Sequence, residues 1–94
     1  MNTIDLIALN IIREQELIIG PMAWAQAKKV TGLHVKDQKN GLLSIDENNA
    51  PSIIDGLVGQ YEHLFGRASK EVCKEAASKL ISALPQAQIP SSLR

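Results

Sequence analysis

Gly20-Pro21 restricts this 94-residue chain more than any other dipeptide in it. Glycine suits the residue that closes a helix. Proline cannot donate to the hydrogen-bond ladder, yet its fixed φ fits the first turn of a new helix. No regular element runs through such a pair, so the first twenty residues form one unit of bounded length and the chain turns there. The sequence before the break predicts a helix over about 3–19, capped by Asn2 or Thr3, with Asp5 in the first turn where a carboxylate meets the positive helix end.

At about 100° per residue, Ile4, Ile7, Ala8, Ile11, Ile12, Ile18 and Ile19 share an arc roughly 140° wide, which is the expected core face. Arg13, Glu14 and Glu16 fall outside it and read as the wet side of the helix. Gln15 falls inside it and needs a hydrogen-bond partner if buried. Leu6, Leu9 and Leu17 gather on the other side, around Asn10 and Arg13. A helix apolar in two directions sits between two neighbours, and in so small a domain the second neighbour is expected to be another copy of the chain. Leu6, Leu9 and Leu17 are therefore the candidate interface residues.

After the break, helix 2 is expected over about 21–30, with Trp24 as a core anchor. The stretch TGLHVKDQKNGLLSID is strand-like. A two-residue turn at Asn40-Gly41 would set Leu43 against Gln38, mixing apolar with polar residues. A loop over 37–41 sets Val35 opposite Leu43 and Leu33 opposite Ile45 on one face. Helix 3 is expected over about 51–65, opened by Pro51 and a Ser52/Asp55 capping box, with Ile54, Leu57, Val58, Tyr61, Leu64 and Phe65 on its stripe. Gly56 and Gly59 are expected to let the backbones of helices 3 and 4 approach closely. Helix 4 is expected from about Ser69 until Pro85, burying Val72, Cys73, Ala76, Ala77, Leu80 and Leu84. Residues 85–94 offer only Ile89 and Leu93 as anchors and are expected to be a partly ordered, fraying tail.

Reactive groups are sparse. One cysteine and two histidines, far apart in sequence, do not make a local metal-ligand pattern, and Lys39 stands where a calcium loop wants an oxygen ligand. Cys73 near the start of a helix has the position of an activated thiol, but it shares the apolar face and reads as a small core residue. No cofactor or metal is expected and no catalytic constellation is legible. Gly56-Leu57-Val58-Gly59 resembles the Gly-x-x-Gly loop of the KH RNA-binding family over these four residues, with apolar residues between the glycines where that family favours basic or polar ones. Residues 53–84 have the outline of a helix-turn-helix, with Arg67, Lys70, Lys74 and Lys79 available to phosphates. Glu71 and Glu75 interleave with these cations, and ten basic residues balance ten acidic ones, so the usual electrostatic footprint for nucleic acid is missing.

These observations predict a single α+β domain, mostly α, over residues 1–94: a helical hairpin, a short antiparallel β-hairpin and two C-terminal helices on one aliphatic core. The expected function is a small cytoplasmic protein–protein interaction or regulatory module, self-associating as a homodimer through helix 1. A DNA-binding regulator built on residues 53–84, or a small-ligand domain with a pocket of Trp24, Tyr61 and His63, are the competing classes. Cytoplasmic residence follows from a lone cysteine, from an N-terminus unlike a secretory leader, and from apolar runs too short to span a bilayer.

Overall fold

The computed structural model describes residues 2–94. In chain order it contains α1 (Thr3–Ile19), α2 (Met22–Ala27), β1 (Leu33–Asp37), β2 (Leu42–Ile45), α3 (Ala50–Phe65) and α4 (Arg67–Ile81), with short 3-10 turns at Glu47–Asn49, Gln86–Gln88 and Ser91–Leu93. The fold is α+β and mostly α, with a two-stranded antiparallel sheet.

α1 has the expected bounds. Asn2 caps it in a reciprocal box: the Asp5 amide donates to Asn2 Oδ1 at 2.9 Å, and the Asn2 amide donates to Asp5 Oδ2 at 3.2 Å. The other oxygen of Asp5 is turned inward and accepts the Ile45 amide at 3.0 Å, so one buried carboxylate joins the start of α1 to the end of β2. At the far end Gly20 takes φ 70°, a backbone region that side-chain-bearing residues avoid, and its amide closes the helix on the Glu16 carbonyl at 2.8 Å. Ile4, Ile7, Ala8, Ile11 and Ile12 are buried as the arc requires.

The β-hairpin has the register anticipated from its apolar face, Leu33 opposite Ile45 and Val35 opposite Leu43, with an irregularity between Val35 and Asp37 that pairs Asp37 with Leu42. Asp37 then braces the turn by accepting the Asn40 backbone amide at 3.2 Å and its side-chain amide at 2.6 Å, bonds that hold its carboxyl below the usual range. Leu33, Leu43 and Ile45 face the helices. The hairpin tip lies on α1: a side chain at Gly41 would run into the Arg13 guanidinium and come within 3.2 Å of Leu9 Cδ1.

α2 is shorter than expected and lies along α3. There Tyr61 donates its hydroxyl to the Ala23 carbonyl at 2.7 Å and Gln60 donates to Gln26 Oε1 at 2.7 Å. Ile54, Leu57, Val58 and Tyr61 form the buried stripe of α3. Its first turn has no side-chain cap, so the Ser52/Asp55 box does not form. Gly56 faces Val30 at an ordinary contact distance and a side chain at Gly59 would meet open space, so neither glycine serves close approach of α3 to α4. α4 begins two residues earlier than expected, because Gly66 alone, at φ 91°, makes the corner between the two helices. From there α4 packs on both α1 and α3 and buries Cys73 and Ala77.

In the C-terminal segment, residues 85–88 are exposed and residues 90–93 are docked. Pro90 and Leu93 are buried, and the turn Ser91–Leu93 packs against both α3 and α4. Asp55, freed from capping its own helix, accepts the Ser92 amide at 2.9 Å, the Ser91 hydroxyl at 2.9 Å and the Ser92 hydroxyl. Burial pushes the Asp55 carboxyl up, but the bonds from Ser92 and Ser91 outweigh it and hold the group below its ordinary value.

Candidate interaction surface

The three candidate interface leucines have separate fates. Leu9 is 6% exposed and lies under the hairpin tip, so it belongs to the core of its own subunit and cannot form an interface. The second neighbour of α1 at that point is therefore the chain's own hairpin. Leu6 and Leu17 remain at the surface, 38% and 80% exposed. They stand eleven residues apart, about three turns, on one face and about 16 Å from each other along the axis, with Asn10 and Arg13 between them.

Sequence periodicity missed the company that Leu17 keeps. Ile18, expected to be buried, is 61% exposed, Met22 at the start of α2 is 51% exposed, and Leu64, expected on the inner stripe of α3, is 46% exposed. Their placement has a common cause. Gln15 lies opposite Ser69 and Cys73, near the start of α4, so the last turn of α1 has little of α4 left to cover it. The Tyr61 to Ala23 bond sets the beginning of α2 beside the last turn of α3, where Leu64 follows Tyr61 by three residues. Leu17, Ile18, Met22 and Leu64 flank the Gly20-Pro21 and Gly66 corners in sequence, and the Gln15–Ser69 and Tyr61–Ala23 bonds bring the elements that carry them to the same end of the fold. Ile18 also edges a cleft of about 310 Å³ between α1 and α4, with Glu14, Val72, Glu75 and Ala76.

Beneath this end the α1–α4 contact is closed by Gln15, which is fully buried. Its Nε2 donates to the Ser69 carbonyl at 3.0 Å and to Cys73 Sγ at 3.4 Å, while its Oε1 is buried without a partner. Burial pushes the Cys73 thiol up to about 11, against the smaller opposing effect of the Gln15 bond, so the thiol is protonated near neutrality and is a poor nucleophile.

The ligand pocket drawn from Trp24, Tyr61 and His63 does not assemble. Trp24 and Tyr61 are core residues, 2% and 0% exposed, and Tyr61 uses its hydroxyl within the core, where burial raises its pKa. His63 is exposed. His34 is also outside, on the outer face of the hairpin, 3.0 Å from Asp46 in an exposed pair. No group of three or more His, Cys, Asp or Glu side chains suited to a metal ion occurs among the described residues.

Two nucleic-acid outlines also change. Gly56 and Gly59 lie inside α3 rather than in a loop, so their amides belong to the helix ladder and are not arranged to clamp a backbone. The α3–α4 connection is a single residue, shorter than the three or four residues that set a recognition helix across its partner, and Glu71 and Glu75 stand among the lysines of α4. Among the described residues, no helix is long and apolar enough to cross a membrane. Comparison with protein-family models, curated proteins and solved structures finds no match to this chain.

Proposed function

We propose that the chain is a small cytoplasmic protein–protein interaction module that self-associates through the end of α1. The observation that carries this reading is that Leu17, Ile18, Met22 and Leu64, on elements that meet at one end of the fold, are each about half exposed or more. Large apolar side chains scattered singly are ordinary on a surface, whereas four of them on elements that meet at one end of a small domain offer a surface for another molecule to cover. Exact balance of acidic and basic residues leaves no net repulsion between copies.

Magnitudes set the strength of the association. Covering the exposed parts of these four side chains recovers about 4–7 kcal/mol per copy, about 8–14 kcal/mol for a pair in which both copies are covered, at about 1.5–3 kcal/mol for each fully buried large apolar side chain. Association itself costs about 4–15 kcal/mol, so the pair is weak and forms at high micromolar concentration or above unless rim contacts add to it. Sedimentation equilibrium from about 10 µM to about 1 mM is the test, a range that brackets such an affinity. A reversible monomer–dimer equilibrium is expected for the native chain and a monomer throughout for Leu17→Glu, a residue exposed enough to accept a charge without unfolding. A native chain that stays monomeric at the top of the range, or a Leu17→Glu chain that dimerises as well as the native one, overturns the reading.

A further inference from the structure

Residues 90–93 are seated as a short peptide against α3 and α4, beyond an exposed stretch at 85–88. Pro90 and Leu93 provide two buried apolar anchors, and between them Ser91 and Ser92 present two hydroxyls and one amide to the Asp55 carboxylate. The terminal 3-10 turn has proline at its N-cap position, with no side chain of its own to satisfy the amides that follow. Asp55 supplies that cap from α3, while Leu93 packs on the α4 side beside a depression lined by Glu71, Lys74, Ser78 and Ile81. Recognition therefore comes from a short pattern: an apolar ring, two serines and an apolar side chain on the third residue after the ring. Each of these contacts is local to residues 90–93, and none uses the link back to α4. The same segment from another molecule meets the same groups.

We propose that the groove between α3 and α4 is a peptide-binding site that accepts the Pro90-Ser91-Ser92-Leu93 segment of a second copy when its own is displaced. The resident segment is tethered a few residues beyond α4 and holds the groove at an effective concentration on the order of millimolar. Exchange thus requires release first, and the groove is closed to weak competitors while the segment is seated. The site is separate from the α1 surface and stands or falls without it.

The test uses the full chain. A Ser91→Glu/Ser92→Glu variant sets carboxylates against Asp55 and releases the segment by like-charge repulsion, and Leu93→Gln releases it by removing an apolar anchor. Both changes lie in the segment and leave the groove intact. Hydrogen exchange of the amides of residues 91–94 reports release, and anisotropy of a fluorescein-labelled synthetic peptide of residues 86–94 reports occupation. Both released variants are expected to bind the peptide at least about tenfold more tightly than the native chain, and Asp55→Ala placed in the Leu93→Gln variant is expected to abolish the gain. Segment amides that exchange freely without peptide binding overturn the proposal. Amides that stay protected in both variants overturn it too, since Asp55 and Leu93 would then not hold the segment. Leu17→Glu is expected to leave peptide binding unchanged, which keeps this result apart from that of the dimer test.

Discussion

Replacing Gln15 by methionine is expected to make the protein more stable, although it deletes two hydrogen bonds. The native amide is fully buried; Nε2 reaches the Ser69 carbonyl and Cys73 Sγ, and Oε1 reaches nothing. The Ser69 carbonyl lies inside α4, where the ladder already supplies a donor from the residue four positions on, so losing Nε2 does not orphan it. The amide–carbonyl bond contributes about 0.5–1.5 kcal/mol net, and the sulfur acceptor is weaker. An unpaired buried acceptor costs about 1–3 kcal/mol. Methionine has similar length, removes that cost and adds apolar contact in a close-packed site. The balance favours the variant by about 1–2 kcal/mol, which in a domain of this size raises Tm by roughly 4–16 °C. Urea titration followed by Trp24 fluorescence and circular dichroism should show the midpoint rising at unchanged slope. Gln15→Ala, which leaves a cavity as well, should lose about 2–4 kcal/mol. A Gln15→Met variant less stable than the native chain by about 1 kcal/mol or more would refute the reasoning, since the amide must then be satisfied in a way the geometry does not show.

Asp5→Ala leaves the Asp5 backbone amide on Asn2 Oδ1 but removes the carboxylate that accepts the Asn2 amide and the buried Ile45 amide, and is expected to cost about 2–3 kcal/mol by chemical denaturation. Asp5→Asn, which can still accept from one of the two amides, should recover part of that loss. Alkaline pH is a second lever. The Cys73 pKa is raised to about 11 from 9.0 and that of Tyr61 is raised as well, so the unfolded chain releases these protons at lower pH than the folded one. The Cys73 contribution is complete below about pH 9 and falls as pH rises through 9 to 11, while that of Tyr61 begins to fall only above about pH 10; Cys73→Ala should flatten the stability profile between 9 and 11.

Local pattern carried much of the fold. The bounds of α1 follow from Asn2, a 3.6-residue apolar repeat and Gly20-Pro21, all of which act within a few residues of each other. The hairpin register follows from keeping Leu33, Val35, Leu43 and Ile45 on one face, a constraint that a one-residue slip would break. The surface was less legible for a physical reason. Periodicity says which way a side chain points, but not how far the covering neighbour extends. Ile18 and Leu64 belong to their expected stripes and are exposed because their helices meet at corners where cover runs out. Leu9 pointed away from the main arc and is nevertheless buried, because a hairpin more than thirty residues later folds over it. The docking of residues 90–93 rests on Asp55, whose spacing from Ser52 imitated a helix cap and hid its use by a segment 37 residues away.

The one-residue corner at Gly66 also limits how this protein can vary. Adding a single residue there would rotate α4 by about 100° about its axis before any other adjustment, swinging Cys73 and Ala77 to the places now held by Lys74 and Ser78 and bringing Val72 opposite Gln15. Length changes in homologous chains should therefore collect at the hairpin tip or ahead of α3, and this corner should keep its spacing even where its neighbours drift.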